Sequence, residues 1–409
     1  MKVAQLTYTD TGGAGRAAVR LHRALRSEDA TSSLIVARNR SDEPGVVGRG
    51  PVGTFAARVR AAIGGGLMRA QVSTDASFRS SAVLPSRVPE RVARTNPDIV
   101  HMHWINGEML TPADMARFRI PLVWTLHDMW AFCGTEHYSE TNRWRIGYTK
   151  ANRPARQWGL DLDRLTWRAK LRAWTRPIQL ICPSNWMADC VRASALMRTW
   201  PVAVIPNAID TEVWRPVDKA EARARLGLPP DPPLVLFGAV GGAQDHRKGG
   251  DLLAAAIGKL VAAAPDVELA VFGQSEGPDL GAPTHYLGNL TTDLDLIDAY
   301  SAANVFALPS RLDNLPNTGL EALSCGTPIA AFKVGGLEDI VRHRVNGYLA
   351  DPFSPDDLAK GISWLLSDSE RRASLSYMAA ADARSKFSAA VVARKHIDLY
   401  CKVLSEAHS

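Results

Sequence analysis

Short apolar runs separated by longer windows of mixed polarity set the rhythm of this 409-residue chain. In the first half, residues 3–8, 33–37, 98–104, 122–126, 178–182 and 202–205 read as strands. In the second half, 234–238, 267–272, 285–288, 305–308 and 329–332 do the same. Between them the apolar positions shift to helical spacing, notably up to residue 26 and over 159–176, 185–195, 250–264, 316–325, 355–366, 370–387 and 389–404. Strands that alternate with helices predict α/β architecture with mainly parallel sheets. A further helix over 55–68 is expected to turn Phe55, Val59, Ala62, Ile63 and Met68 inward; being basic and amphipathic, it could also touch a membrane.

The most informative stretch follows the strand at 305–308. Pro309-Ser310 leads into a polar loop, a helix follows from about Pro316, and Cys325-Gly326-Thr327-Pro328 stops it before the next strand. Asp313 sits on the loop and Glu321 about one and a half turns inside the helix, near the carboxyl edge of a parallel sheet, where such sheets place ligands. Between the two acids, the residues around Asn314, Leu315, Asn317 and Thr318 present the unpaired N–H groups of a helix start, which attract anions. Acids beside a phosphate-attracting helix start suit a ligand with hydroxyls at both ends and phosphates in the middle. A sugar nucleotide has that layout.

Other strand ends add candidates. The first strand runs into Thr11-Gly12-Gly13-Ala14-Gly15-Arg16, a turn whose glycines let backbone N–H groups approach a phosphate or serve tight helix–strand packing alone. It lacks the full G-x-G-x-x-G spacing of a nicotinamide-binding fold. His101 and His103 share one face of their strand, which ends at Trp104; acceptor contact or strand-end packing accounts for them better than a metal pair. The next strand ends at His127-Asp128, where a histidine could meet a sugar hydroxyl or be buried structurally. Past residue 238, Asp245-His246-Arg247-Lys248-Gly249-Gly250 puts cations at a strand-to-helix turn, fit to neutralise a phosphate leaving group. Asp161-Leu162-Asp163 and Asp293-Leu294-Asp295 look like an Asp-x-Asp metal motif, but each lies at a helix start, where acids are favoured anyway.

With its flanking Pro-Ser, Cys-Gly-Thr-Pro and Gly335-Gly336, the Asp313–Glu321 spacing resembles the acid–seven residues–acid signature of the retaining glycosyltransferases of family 4, the glycosyl transferases of group 1. The first acid is usually Glu there and is Asp here. The resemblance covers most of the second half and, more weakly, the first. It implies the GT-B fold, with two Rossmann-like domains (1–206 and 207–388) facing across a cleft and a last helix (389–409) crossing back onto the first. It also implies transfer, with retention, of a sugar from a nucleotide diphosphate sugar to a glycan or lipid-linked acceptor, in exopolysaccharide or lipopolysaccharide synthesis. No metal or other cofactor is implied. Lys248 would hold the diphosphate, with Arg247 substituting for an Arg expected where Ala239 stands. Gly12 and Gly13 would face the donor diphosphate or the acceptor, and Asn289 and Leu290 lie where the nucleobase is received. Glu321 would bind ribose, Asp313 and His127 would position the sugar, and His103 and Trp104 would meet the acceptor.

Composition narrows the class. The chain is long enough for two domains, and 46% hydrophobic with 22% charged residues suits a water-soluble fold. Five scattered cysteines without metal spacing suit a reducing, cytoplasmic setting; the basic charge and the helix over 55–68 would allow peripheral contact at the inner membrane face. No apolar run reaches the ~20 residues of a membrane span, and the N-terminus reads as a first strand rather than a signal peptide. The net charge of +6 is concentrated in arginines of the first half, such as Arg143, Arg145, Arg153 and Arg164. No nucleic-acid motif accompanies it; a solvated basic surface, or attraction to lipid headgroups and phosphorylated substrates, accounts for it. Two other classes fit the same residues: a sugar-nucleotide epimerase or hydrolase, and a non-catalytic sugar-nucleotide binder.

Overall fold

In the computed structural model, which describes residues 1–74, 77–238 and 246–408, the chain forms two units. One comprises Met1–Pro206 with Val392–Ser409, the other Asn207–Val391. Strands of the first are β1 (Lys2–Thr9), β2 (Thr31–Arg38), β3 (Val46–Val47), β4 (Gln71–Ser73), β5 (Ile99–Met102), β6 (Leu122–Thr125), β7 (Gln157–Gly159), β8 (Gln179–Cys182) and β9 (Val202–Val204). Those of the second are β10 (Leu234–Gly238), β11 (Glu268–Phe272), β12 (Thr284–Tyr286), β13 (Val305–Leu308), β14 (Ile329–Phe332) and β15 (Gly347–Ala350).

Seven strands of the first unit form one sheet in the order β3-β2-β1-β5-β6-β8-β9, and the six of the second pair as β12-β11-β10-β13-β14-β15. Every pairing within these two sheets is parallel. Central strands such as β5, β10, β13 and β14 are buried along their whole length, as strands covered by helices on both faces must be. In the first unit four tryptophans fill the core under β6 and β8: Trp174 meets Trp124, Trp130 and Trp200 edge-on, with ring centroids 5.5, 6.4 and 6.2 Å away. In the second, Tyr300, Phe306, Phe272 and Trp214 pack on one side of the sheet and Phe237, Val305 and Phe332 on the other.

The last helix, Ala389–His408, belongs to the first unit from Val392 onward. Its Tyr400 is fully buried and its hydroxyl lies 2.6 Å from His101 Nδ1.

Several features depart from the sequence reading. The helix predicted at 55–68 runs over Gly50–Met68, but Phe55, Val59 and Ile63 face solvent, as do Val52 and Leu67. Ala57 and Gly64 are the buried side, because the small residues of the helix allow the closest approach to its neighbours. The antiparallel ribbon β4–β7 and the edge strand β15 carry too short a pattern to stand out in the sequence. Arg143 is not surface charge: it is buried against Asp161, 3.1 Å away, and over the Tyr148 ring. Asp163 is likewise buried, and the Gln71 side-chain amide donates to it, so this acid does more than start a helix.

Candidate active site

The carboxyl edge of the second sheet gathers the charged candidates. β10 and β13 are neighbours, so the segments leaving them lie side by side. After the first comes the turn His246–Lys248 and Gly249; after the second comes Pro309 and the loop to Pro316. Gly249 has φ +70°, and any Cβ there would overlap the Pro309 carbonyl, so only glycine lets the two segments touch. Gly335, at φ +56°, is pressed in the same way against the carbonyl of Asp313, which also accepts from Gly336 N at 2.9 Å.

Within this frame the Asp313 carboxylate is buried and held at both oxygens. Oδ1 accepts from Arg247 Nη1 at 3.1 Å and Oδ2 from Lys248 Nζ at 2.8 Å. Burial alone would raise its pKa; the adjacent charges of Lys248 and Arg247 outweigh burial and hold the carboxyl below its usual range. Two cations and one carboxylate thus share a small volume at this sheet edge.

Glu321 is 1% exposed, on the helix Asn317–Ser324, and its Oε2 accepts from the Tyr300 hydroxyl at 3.0 Å. Asn314 and Leu315 are buried, and the Leu315 side chain packs in the core, leaving its backbone to do any binding. Asn317 and Thr318, at the helix start, are half-buried. Asn207 Nδ2 donates to the Leu315 carbonyl and to Asn317 Oδ1, at 3.2 and 3.3 Å, fixing the loop between the two acids. Asn289 is exposed and Leu290 half-buried on the connection from β12 to the helix Asp293–Ala302. Ala239 lies outside the described residues.

The histidine candidates occupy the first unit. Adjacent strands β5 and β6 end at His103 and His127, whose rings meet with Nδ1 of His103 3.1 Å from Nε2 of His127. His103 Nε2 lies 2.9 Å from Gln5 Oε1. Both ring nitrogens of buried His103 are thus engaged by protein groups, and the direct acceptor contact expected of it gives way to support of His127. Burial pushes His127 down to about 4, against a smaller opposing effect of Asp128, so its imidazole is neutral at pH 7.

Trp104 is half-buried; its Nε1 donates to Asp128 Oδ2 at 2.9 Å, and its ring stacks on Phe78 and His137. Asp128 is pinned by His137 Nδ1 at 2.6 Å. Gly12, at φ +76°, and Gly13 are exposed with open space where a Cβ would stand, whereas a Cβ on Gly15 would overlap the Thr9 carbonyl. The packing glycine of this turn is therefore Gly15, while Gly12 and Gly13 leave room beside the backbone.

Sequence reasoning missed several supporting residues. Arg311 grips Asp251 with both guanidinium ends, at 2.7 and 2.6 Å, and also donates from Nη1 to the His246 carbonyl, fixing the turn that carries Arg247 and Lys248. Tyr300 and Asn207 are a second and third. Arg311 follows Pro309-Ser310 directly, a signal that could have been read; Tyr300 lies on an ordinary helix and could not. Among the described residues no group of three or more His, Cys, Asp or Glu side chains is set to hold a metal, and none of the five cysteines forms a disulfide.

The chain is similar to known proteins. The model of the glycosyl transferases group 1 matches residues 218–382, and that of Glycosyltransferase Family 4 matches 11–213. A D-inositol 3-phosphate glycosyltransferase of Thermobispora bispora is 29% identical over 76% of this chain and 72% of its own. The D-inositol 3-phosphate glycosyltransferase 1 of Catenulispora acidiphila is 32% identical over 68% and 66%. Among solved structures, a sucrose-phosphate synthase from Thermosynechococcus elongatus superposes with a TM-score of 0.68 at 18% identity, over 99% of this chain and 100% of that one. Anabaena Alr3699/HepE, in complex with UDP and glucose, gives 0.67 at 18% identity, over 98% and 100%. Identities this low speak for the fold alone.

Proposed function

Because this chain belongs to glycosyltransferase family 4, the glycosyl transferases of group 1, we propose that it transfers a sugar, with retention, from a nucleotide diphosphate sugar to a hydroxyl of a phosphorylated or lipid-linked acceptor. The observation that carries this is the Arg247–Asp313–Lys248 cluster at the sheet edge. Its two cations, with the helix start at Asn317, suit a diphosphate whose charge grows as the sugar departs. Glu321, held by Tyr300, takes the ribose hydroxyls, and His127 meets the sugar. Solved relatives of this fold hold UDP and UDP-glucose, so UDP-sugars are the first donors to test.

Retention by same-face attack is favoured over double displacement. Both oxygens of Asp313 are held by cations and its carboxyl lies below the usual range, which makes it a poor nucleophile. The leaving phosphate then serves as base for the acceptor hydroxyl. No metal is required in this reading, since the two cations cover the diphosphate; abolition of turnover by EDTA would refute that part.

Two acceptor classes compete. The curated relatives are named for an inositol phosphate, while an exopolysaccharide or lipopolysaccharide route calls for a lipid-linked glycan. The exposed apolar stripe on Gly50–Met68, a helix without an acid and carrying exposed Arg58, supports work at an anionic membrane surface. No helix among the described residues is long and apolar enough to cross a membrane.

The test is nucleotide release from a panel of UDP-, GDP-, ADP- and dTDP-sugars, with and without D-inositol 3-phosphate or lipid-linked acceptors. Release that depends on an acceptor, with the anomeric configuration of the product read by NMR, supports retaining transfer. Release without acceptor points to a hydrolase or epimerase.

A further inference from the structure

Four polar side chains link the Pro44 carbonyl to His127 without interruption. His22 Nε2 lies 2.9 Å from the Pro44 carbonyl, and its Nδ1 lies 2.9 Å from Ser32 Oγ. Ser32 Oγ accepts from Gln5 Nε2 at 2.9 Å. Gln5 Oε1 lies 2.9 Å from His103 Nε2, and His103 Nδ1 lies 3.1 Å from His127 Nε2. We infer that this chain is a tautomer relay, anchored on the Pro44 carbonyl, that fixes His127 with its proton on Nε2 and an unprotonated, accepting Nδ1.

The polarity follows from one end. A carbonyl only accepts, so His22 Nε2 carries a proton. Burial disfavours the imidazolium of His22, so Nδ1 is unprotonated and the Ser32 hydroxyl donates to it. Ser32 Oγ then takes the amide N–H of Gln5, which turns the amide oxygen toward His103 and places a proton on His103 Nε2. His103 is fully buried beside His101, with ring centroids 4.3 Å apart, and is neutral; its Nδ1 accepts, and His127 Nε2 donates. Reversing the chain would require a charged His22 or a lone pair turned at the Pro44 carbonyl. Either is costly for His22, whose ring is buried.

The consequence for recognition rests on the transferase reading. With Nδ1 unprotonated, His127 accepts a hydrogen bond from a hydroxyl and has no proton there to give to a phosphate or carbonyl oxygen. Its natural partner is a sugar hydroxyl, and a phosphate meeting Nδ1 would be repelled. Gln5, Ser32, His22 and His103 are positioning residues, and none of them need touch the substrate.

The relay itself is tested without any ligand, so its failure is distinct from a failure of the transferase reading. Long-range proton–nitrogen NMR correlations on protein labelled with 15N-histidine distinguish a pyrrole-like from a pyridine-like ring nitrogen. His127→Gln, which deletes one set of signals, assigns His127. The expected spectrum places the proton of both His127 and His103 on Nε2. Gln5→Leu removes the acceptor for His103 Nε2 and is expected to shift part or all of the His127 population to the Nδ1–H form. A wild-type His127 protonated on Nδ1 overturns the inference. So does a folded Gln5→Leu protein whose His127 signals are unchanged. Should Gln5→Leu not fold, the wild-type spectrum decides alone.

Discussion

Asp313 Oδ2 accepts a hydrogen bond from Lys248 Nζ at 2.8 Å, across 65 residues of sequence. The acid of the signature is therefore the counter-ion of the cations assigned to the diphosphate. Asp313→Asn keeps the shape and removes the charge, so Lys248 and Arg247 lose the carboxylate they share. The predicted cost is about 2–3 kcal/mol, below the ~3–5 of a fully buried pair because Arg247 is partly exposed. Nucleoside diphosphate should restore more stability to this variant than to the wild type, since it replaces the lost anion. Thermal melts with and without UDP check this; equal stabilisation of both proteins would sink the counter-ion assignment.

The same pair has a pH signature. The Asp313 carboxyl is held below its usual range in the folded chain, so the unfolded state binds a proton more readily. Its contribution is therefore complete above the unfolded value of about 3.9 and is lost as pH falls through the lower folded value. The stability gap between wild type and Asp313→Asn, read from urea unfolding, should be constant from pH 7 to 5 and close below about pH 4. A gap that widens on acidification would rule out Lys248 and Arg247 as the cause of the lowered pKa.

Tyr300 donates to Glu321 inside the core. Tyr300→Phe deletes one hydrogen bond to a carboxylate and keeps the ring packing. Nucleotide affinity is predicted to fall about tenfold, the lower end of the ~1.5–3 kcal/mol of a hydrogen bond to a charged group, while binding of inorganic pyrophosphate stays the same. Calorimetric titration with both ligands separates ribose recognition from a general loosening of the site, which would weaken both.

The stripe Val52, Phe55, Val59 and Ile63 is exposed, Val52 at 83% and Phe55 at 67%. Wild-type protein is expected to float with vesicles containing phosphatidylglycerol, less so as salt rises. Phe55→Asp with Val59→Asp should abolish flotation, leave the melting temperature within a degree or two, and spare turnover with a water-soluble acceptor. If wild-type protein ignores anionic vesicles, the stripe has another purpose.

His127 and Lys248 divide the proposed labour, and kinetics should show it. Lys248→Met removes charge stabilisation of the leaving group and is predicted to lower kcat about 100–1,000-fold. His127→Ala should also lower turnover while leaving UDP affinity within about twofold, because His127 meets the sugar and not the nucleotide in this reading. Parallel loss of UDP binding in His127→Ala would overturn that division.

Most strands and helices were legible in the sequence because their apolar periods are local properties: β13, β14 and the helix between them lie where the pattern puts them, and Pro309-Ser310 and Gly335-Gly336 mark the turns. The helix at Gly50–Met68 was found but misoriented, since periodicity reports that one face is apolar and not whether anything covers it. What the sequence could not determine was which strands are neighbours. The pairing of β10 with β13 brings Lys248 to Asp313, and the pairing of β5 with β6 brings His103 to His127. Those contacts join residues 65 and 24 positions apart. Sequence by itself determined the residue types and the loops that carry them; the lateral order of a parallel sheet, set by crossover helices and long-range hydrogen bonding, decided which of them meet.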